Sequence, residues 1–486
     1  MNVPHFEKSH QIPLCFRFCA LGAIAAVLSG TAKADIYYYN NVVPGDRAVG
    51  LGGAYAGVSD DASGVIYNPA GLAFSLNDSV SGSANAYYLK RSEYKNTIGN
   101  KSFVEQSNGY YPSFIGGAKK LDSLSEGLVG AFAIYFSDFE FKDQDDFINN
   151  PSLGIESFHR TVNKKASTLH LAFGAGKRFF SSFSAGISLG VVMLDEIQQQ
   201  YQDAVLETNL GALGLKLSSS ASNKGKVYSI FTDNSRTRLS ANGFEPAFGI
   251  QGVLFDKLSL GLMYRKTFYF SQKFESTGDR SRGFQFSDYS VVQPSDIDKP
   301  AETDQRANQI YNNVASGKIN RQTPSGEYSK GAALKSLVDD PFFEGPSEVR
   351  AGFGYFASTR MLWSFDVSHY FAVDGRRELG IKRESVTNYM TGLEYYATPA
   401  LPVRFGFFTN NDTRPQIETS KTDQTDHIDY YGSSLYAAWA QPASQIGAGL
   451  VGQYGKGKSQ KISGSYTIQN VNSYSVTLLF SATHNL

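Results

Sequence analysis

Long stretches of alternating apolar and polar side chains constrain the fold of this chain more than any other feature. In residues 258–271 (LSLGLMYRKTFYFS), every even position except Lys266 is apolar or aromatic, whereas the odd positions carry mainly Ser, Gly, Arg and Thr. Residues 361–371 and 473–481 show the same pattern. A side-chain period of two is that of a β-strand, and these runs exceed the average strand of about six residues. The sequence therefore predicts an all-β protein with unusually long strands.

Alternation alone also fits a soluble β-sandwich, so the surroundings of the strands decide between the two. Aromatic residues gather near the strand ends, and no helical pattern accompanies the strands to cover their apolar faces. A 14-stranded antiparallel transmembrane β-barrel explains these features, because lipid covers the outer face and closure leaves no unpaired edge. The predicted strands are 79–89, 110–120, 127–138, 166–180, 183–197, 236–255, 258–274, 348–358, 361–372, 385–397, 402–410, 429–441, 445–456 and 472–482.

Composition excludes several other classes of protein. The 45 basic and 45 acidic residues cancel, so the chain has no overall field that would hold nucleic acid. Aromatic residues make up 14% of the chain, which is too many for a disordered polymer. The absence of any run of about 18 apolar residues argues against a membrane protein built of helices.

The first 34 residues have the pattern of a cleaved export signal. Basic residues precede an apolar stretch over 18–28, and Ala34 ends an A-x-A cleavage pattern. The apolar stretch is too short to cross a bilayer as a helix. Cleavage after Ala34 would remove Cys15 and Cys19, the only cysteines of the chain. We therefore predict a signal peptide over 1–34 and a mature protein exported to the bacterial outer membrane.

The segment that follows differs from the rest of the chain. Residues 35–78 are predicted to form a hatch, or plug, inside the barrel lumen. Their central part, 45–74, is rich in Gly and Ala, and small residues allow close backbone packing. Residues 79–486 are predicted to form the barrel, with long outer loops over 198–235 and 275–347.

Several stretches of this segment and of the barrel carry a resemblance to a known family. They are Gly45, Arg47-Ala48, Gly50, Gly52-Gly53-Ala54-Tyr55, Asp60-Asp61-Ala62-Ser63 and Tyr67-Asn68-Pro69-Ala70-Gly71-Leu72, with 261–265, 349–366 and 392–406 in the barrel. The N-terminal group resembles the signature of the FadL family, the outer-membrane transporters of long-chain fatty acids and aromatic hydrocarbons. The chain departs from such barrels at Leu486, where many end in an aromatic residue, and this predicts a weaker assembly signal.

The resemblance implies a set of hatch or gating residues and a route for the substrate. The hatch residues are Gly52, Gly53, Asp60, Asp61, Asn68, Pro69 and Ala70. Asn68-Pro69-Ala70 would lie near a strand irregularity that opens sideways to the membrane. Outer loops 198–235 and 275–347 would form an apolar groove that captures the ligand. The partners implied are hydrophobic small molecules, outer-membrane lipid and lipopolysaccharide, for a monomer without cofactor or metal.

Strand parity places five charged residues on the lumen face. It predicts ion pairs between Arg350 and Asp366 and between Glu394 and Arg404, and leaves Arg265 unpaired. These residues either brace the wall and hatch, or one of the arginines binds a substrate carboxylate. The sequence leaves both interpretations open.

Passive outer-membrane transport of hydrophobic compounds with lateral release is the function that the sequence favours. The alternatives are a barrel for secretion or surface anchoring of exported proteins, and a general porin. No enzymatic activity is predicted, because the P-loop-like stretch 452–459 lacks the strand–turn–helix context that phosphate binding needs.

Overall fold

The computed structural model describes residues 37–98, 100–305, 307–308, 311–312, 326–330, 344–373, 382–422, 424–461 and 466–486. The predicted signal peptide over 1–34 and much of the second predicted outer loop lie outside these residues. The strands are β1 Ser79–Ile98, β2 Lys101–Lys120, β3 Leu128–Asn150, β4 Ile155–Phe180, β5 Phe183–Glu207, β6 Val227–Leu254, β7 Leu258–Lys266, β8 Phe268–Phe286, β9 Gly326–Lys330, β10 Ser347–Ser358, β11 Met361–Tyr370, β12 Val386–Thr398, β13 Leu401–Asn410, β14 His427–Ala440, β15 Ser444–Ser459 and β16 Gln469–Asn485.

The strands form one closed antiparallel sheet. β1 pairs with both β2 and β16, so the first and last strands close the ring. β7 and β8 act as one wall strand interrupted at Thr267, because both pair with successive parts of β6. β9 adds to β8 outside this ring. With β7 and β8 counted once and β9 left out, the wall has 14 strands, which confirms the predicted barrel.

The outer face of the wall carries the apolar side chains that the alternation predicts. Leu260 and Leu262 of β7 are 43% and 44% exposed, whereas Ser259 and Met263, which flank them along the strand, are buried. Such a belt of exposed aliphatic and aromatic side chains is what lipid covers in a membrane barrel. Within the described residues, no helix is long and apolar enough to cross a bilayer.

The strands on one side of the barrel are longer than predicted. β5 continues to Glu207 and β6 begins at Val227, so the connection predicted over 198–235 is shorter in the structure. β8 likewise runs to Phe286, into the loop predicted over 275–347. Polar residues continue these strands while backbone pairing persists, because outside the lipid both faces of a strand can contact water.

The N-terminal segment, residues 37–78, lies against the inner faces of the strands. It contains two short α-helices, α1 (Asp46–Gly50) and α2 (Gly64–Tyr67), and a 3-10 helix over Pro69–Phe74. Three further 3-10 helices, Pro151–Leu153, Leu210–Leu213 and Pro294–Asp296, lie between strands. Most side chains of the N-terminal segment are buried, and they pack together with inward-facing wall residues in shared apolar clusters.

One seam of the wall is only partly hydrogen-bonded. β2 and β3 pair from Lys120↔Val129 to Phe114↔Tyr135, and no ladder joins them beyond that point, although both strands continue. Pro112 lies close to where the ladder ends, and a proline has no N–H to donate to a neighbouring strand. We call the stretch of wall between β2 and β3 outward of Phe114 and Tyr135 the β2–β3 seam.

Side chains close this seam in place of backbone bonds. The Ser107 hydroxyl donates to the Phe141 carbonyl oxygen at 2.5 Å. The ring of Tyr111 stacks on that of Phe139 with centroids 4.3 Å apart. Side-chain contacts of this kind can separate without breaking a β-ladder, so the seam can open more readily than a fully paired part of the wall.

Candidate functional site

Glycines of the wall bring its backbone into contact with the N-terminal segment. A Cβ atom added to Gly186 would lie 2.3 Å from the Pro69 carbonyl carbon, and one added to Gly406 would lie 2.2 Å from the Gly52 nitrogen. Cβ atoms at Gly176, Gly249, Gly261 and Gly392 would also clash with this segment. The sequence analysis did not identify this set. Its only signal in the sequence is that glycine occupies inward-facing positions of the strands.

Asn68 fixes the start of the 3-10 helix and ties it to the wall. Its side-chain oxygen accepts a hydrogen bond from the Ala70 N–H at 3.1 Å, as a helix cap does. Its side-chain nitrogen donates to the Ala56 carbonyl at 2.9 Å and to the Ile250 carbonyl of β6 at 3.1 Å. Pro69 takes the first position of this helix, where its missing N–H costs nothing.

Gly52 and Gly53 form a sharp bend of the N-terminal segment beside the wall. Their φ angles are +62° and +85°, a region that other L-residues rarely adopt. The Arg350 guanidinium of β10 donates to the Gly53 carbonyl oxygen at 3.3 Å. Both predicted residues therefore lie where the segment turns against the barrel.

Arg47 joins the N-terminal segment to the wall by charge. Its guanidinium donates two hydrogen bonds to Glu394 of β12, each 3.0 Å long, and a third to Asp60 at 2.6 Å. Glu394 also accepts from Arg404 Nε at 2.6 Å, and the two lie directly opposite in the β12–β13 register, as predicted. A bidentate arginine–carboxylate pair with a second arginine holds three charges in a fixed geometry.

Asp366 binds the backbone of the N-terminal segment. Its Oδ2 accepts hydrogen bonds from the N–H groups of Tyr55 and Ala56 at 2.9 and 2.8 Å. The predicted pairing of Asp366 with Arg350 is displaced, because Asp366 lies opposite Gly352, two residues from Arg350 along β10. The charged atoms of Asp366 and Arg350 are 3.9 Å apart. The register differs because the turn between β10 and β11 lies at 359–360, beyond the position that the predicted pairing requires.

Arg265 is paired in the structure, which corrects the prediction that it has no partner. Its guanidinium contacts Glu348 of β10 and lies 3.5 Å from Glu245 of β6. Glu348 also accepts from Arg350 Nε at 3.0 Å. Sequence reasoning missed Glu245 and Glu348, since their distance along the chain hides that β6, β7 and β10 are neighbours.

Asp61 lies in a concentration of negative charge within the N-terminal segment. Burial first, and then repulsion from Asp46 and Asp60, raise the pKa of Asp61 to about 6. Hydrogen bonds that Asp61 accepts from Ser63 and from the Tyr55 hydroxyl, at 2.6 and 2.8 Å, act in the opposite direction.

A cavity of about 110 Å³ separates the N-terminal segment from part of the wall. It is bordered by Gly52 and Gly53 on the segment and by Tyr135 on β3, where the β2–β3 ladder ends. Arg265 and Arg350 also line it. The predicted lumen residues thus form two groups. Arg265 and Arg350 reach the cavity, whereas Glu394 and Arg404 lie outside its lining, where Glu394 binds both Arg404 and Arg47.

Two outer connections pack on each other at one end of the barrel. Leu217 of the β5–β6 connection pairs with Ile297, which follows β8, and the Lys224 ammonium lies 2.8 Å from Asp296. A small apolar cluster fills the space between them. Tyr289 and Val291 nearby are 81% and 64% exposed, so apolar surface faces outward there.

Known barrels with the same fold transport hydrophobic compounds. The chain is similar to a FadL homologue from Pseudomonas aeruginosa, with 13% identity, a TM-score of 0.51, and 91% of this chain and 99% of that chain covered. It is similar to the toluene transporters TodX of P. putida (14%, 0.54, 92% and 99%) and TbuX of Ralstonia pickettii (11%, 0.53, 92% and 99%). No protein-family model and no curated protein matches the chain. The resemblance to the FadL family is confirmed at the level of the fold.

Proposed function

We propose that this protein belongs to the FadL family and carries hydrophobic compounds, either long-chain fatty acids or aromatic hydrocarbons, passively across the bacterial outer membrane. The observation that carries this proposal is the position of the lumen cavity. The cavity has the N-terminal segment on one side and, at Tyr135, the beginning of the β2–β3 seam on another. A compound in this cavity is therefore beside both the N-terminal segment and a part of the wall without a backbone ladder.

The outer connections supply the first contact on this route. Exposed Tyr289 and Val291 beside the packed connections offer apolar surface to a ligand in water. Each buried CH₂ group contributes about 0.8 kcal/mol, so even a small apolar surface concentrates such compounds. This part of the molecule corresponds to the apolar groove that the family resemblance implies.

The N-terminal segment acts as the hatch in this proposal. It blocks the lumen by close backbone contact, and the charged bonds of Arg47 and of Asp366 hold it against β12 and β11. A general porin needs a water-filled lumen, which the buried segment does not leave. The filled lumen therefore favours the transporter over the porin.

Release occurs sideways through the β2–β3 seam. An apolar compound that leaves through the wall enters the hydrocarbon region directly and avoids renewed contact with water. Separation of Tyr111 from Phe139 would open the seam without loss of backbone hydrogen bonds between the two strands. Transport is then downhill diffusion and needs no energy source.

A cross-link across the seam tests this route. The double variant Tyr111→Cys/Phe139→Cys, joined by a short bismaleimide in a mature chain that otherwise has no cysteine, should reduce uptake of a hydrophobic substrate at least tenfold. The matched control is Phe139→Cys/Ser167→Cys, because Phe139 and Ser167 are already paired across the β3–β4 ladder. Uptake is measured before and after cross-linking, in intact bacterial cells that carry the variant in their outer membrane. Equal uptake by the cross-linked seam and by the control would contradict lateral release.

A further inference from the structure

The outward face of β4, β5, β6 and β8 changes character toward the outer end of the barrel, where the long connections lie. Phe173 and Val191 belong to its apolar belt and are 68% and 44% exposed. Leu169 and Met193, which lie directly opposite each other, form the last apolar row on β4 and β5. The next row outward is polar and consists of Ser167, Asp195, Ser240 and Lys273, paired in this order across the four strands. The boundary between lipid tails and headgroups therefore falls at this level.

Four basic side chains project outward at and beyond this boundary, and we call them the outward basic patch. They are Lys165, Arg236, Arg238 and Lys273. Neighbouring residues along the strands, namely Ala166, Leu239 and Gln272, are buried, and this alternation directs the basic side chains away from the lumen. The row after Lys273 runs Lys165, Ile197, Arg238 and Glu275, and the following row runs Asn163, Gln199, Arg236 and Thr277.

The patch carries more positive than negative charge. Arg238 pairs with Asp195 at 3.0 Å, and Lys273 pairs with Glu275 at 2.5 Å. Both pairs are exposed to solvent, so they are weak and can exchange partners. Lys165 and Arg236 have no carboxylate partner among the residues that the structure describes. Four cations therefore face two carboxylates in these three rows.

The corresponding level on the other side of the barrel has no such excess. There, Asp429, Lys456, Asn472 and Glu93 form one row across β14, β15, β16 and β1. The row below it consists of Tyr431, Tyr454, Tyr474 and Arg91. Two cations and two carboxylates balance in these rows, and Lys456 lies directly opposite Asp429. The positive excess is therefore a local feature of one face and not a property of the whole outer rim.

The height of the patch matches the layer of lipid headgroups. At about 3.3 Å per residue and a strand tilt near 40°, Lys273 lies about 5 Å and Lys165 about 10 Å beyond the last apolar row. The headgroup layer extends roughly 5–8 Å beyond the hydrocarbon on each side of a bilayer. Long lysine and arginine side chains can bend into this layer. A molecule bound by the patch would therefore also contact the apolar belt below it.

The side chains of the patch suit phosphate groups. A guanidinium binds two phosphate oxygens at once, and a lysine ammonium adds a point charge. The hydroxyl groups of Ser167 and Ser240, in the row next to the belt, can donate to phosphate or sugar oxygens. Lys165 and Arg238 are separated by two strand spacings, or roughly 10 Å, so the patch can contact more than one phosphate.

We propose that the outward basic patch binds a phosphorylated glycolipid of the outer leaflet, the lipid A part of lipopolysaccharide. The phosphates contact Lys165, Arg236, Arg238 and Lys273, and the acyl chains lie along Phe173 and Val191. Continuity with the apolar belt favours a lipid over a partner in solution, because an anionic lipid satisfies both surfaces together. The inference concerns the outside of the wall, so it does not depend on which compound the lumen carries.

Removal of the two unpaired cations tests the proposal. Binding of diphosphoryl lipid A, and of the same lipid A without its phosphates, to the full mature chain in detergent micelles is measured by native mass spectrometry. We expect the phosphorylated form to bind the parent at least tenfold more tightly. Lys165→Gln/Arg236→Gln should lower its affinity about tenfold. The matched control is Arg91→Gln/Lys456→Gln, which removes one lysine and one arginine from the balanced face and should change the affinity less than twofold.

The exposed positions allow both double variants to fold, and heat-modifiable gel mobility checks this. Equal affinity of the parent for the two forms of lipid A overturns the proposal, as does an equal loss in the test and control variants. Phosphatidylglycerol that binds as tightly as diphosphoryl lipid A overturns the assignment to the glycolipid. Binding of heparin, a soluble anionic polysaccharide, without binding of lipid A assigns the patch to a partner in solution and also overturns it. Uptake of hydrophobic compounds by the same variants tests the proposed function separately.

Discussion

The N-terminal segment is held in two different ways on its two sides. Against β4, β5 and β6 its contacts are neutral, such as the bonds of the Ser184 hydroxyl to the Ala70 carbonyl at 2.8 Å and of Asn68 to Ile250. Against β10, β11 and β12 the contacts involve charged side chains of the wall, namely Arg350, Asp366 and Glu394. We call these the neutral side and the charged side.

In the proposed function, this difference would let one plug be both tight and movable. On the neutral side, backbone meets backbone at glycines, so the fit depends on shape and is insensitive to salt or pH. On the charged side, each bond involves an ionised side chain, so dissolved ions can compete with it and protonation of a carboxylate can weaken it. We expect the segment to move by release of the charged side while the neutral side acts as its fixed edge.

A larger residue in place of Gly186, on the neutral side, should have the largest effect on folding. In Gly186→Val the new side chain would meet the Pro69 backbone, and backbone cannot rotate away as a flexible side chain can. We expect a loss above the usual overpacking cost of about 1–3 kcal/mol, and most of the chain should fail to form a folded barrel. Heat-modifiable gel mobility measures folding. Gly452→Ala is the control, because no atom lies within 4 Å of its added Cβ, and equal folding of both variants would refute the shape argument.

Removal of a carboxylate on the charged side should loosen the plug with less harm to the barrel. Asp366→Ala frees the N–H groups of Tyr55 and Ala56 and leaves Arg350 with less counter-charge, a loss of about 3 kcal/mol by analogy with other broken buried pairs. The variant should fold and show ion conductance in planar bilayers that the parent lacks. Asp366→Asn keeps an acceptor oxygen and should conduct less than Asp366→Ala. A folded, non-conducting Asp366→Ala barrel would show that the charged side does not hold the plug.

Substitution of Arg265 distinguishes a bracing role from a substrate-binding role. Arg265→Ala leaves Glu245 and Glu348 without their shared cation, so the cavity changes for every ligand. We expect a similar reduction of a few-fold in the binding of a neutral aromatic compound, toluene, and of an aromatic carboxylate, p-toluate, measured by equilibrium dialysis of the protein in lipid nanodiscs. A loss confined to p-toluate would instead support the substrate-carboxylate role that the sequence leaves open.

The smallest expected effect is a pH dependence within the segment itself. The pKa of Asp61 is raised to about 6 in the folded protein, so the folded state binds this proton more tightly than the unfolded chain, where the pKa is near 4. Stability of the segment should therefore fall as the pH rises from about 4 to about 6 and change little above that. Hydrogen exchange of residues 46–74 measures it, with Asp61→Asn expected to flatten the profile. An unaltered profile in the variant would assign the dependence to another group.

The part of the fold that touches lipid could be predicted from the sequence. In β7 and β11 every second side chain faces lipid and must be apolar. This requirement produces the alternating pattern from which the strands can be predicted. The outer parts of β5 and β6 carry no such requirement, so residues such as Gln198 and Gln200 give no period although they pair with β4. For that reason, the predicted boundaries of the outer loops were wrong.

The candidate site was predictable only where its partners are close in sequence. Glu394 and Arg404 belong to one short hairpin, so counting from the turn finds the pair. Arg265 and Glu348 lie on neighbouring strands separated by a long stretch of chain, and no count of residues brings them together. The segment–wall contacts depend on the closed barrel, which local pattern does not encode.

The tall strands also set where the protein first meets its ligand. A 28-residue strand such as β6, rising about 3.3 Å per residue at a tilt near 40°, reaches roughly 70 Å along the barrel axis, against a hydrocarbon band of about 25 Å. The packed outer connections therefore stand far above the lipid, at the height of the sugar chains that coat such a membrane. On the proposed route, capture takes place beyond this hydrophilic coat, which hydrophobic molecules cross slowly without a carrier.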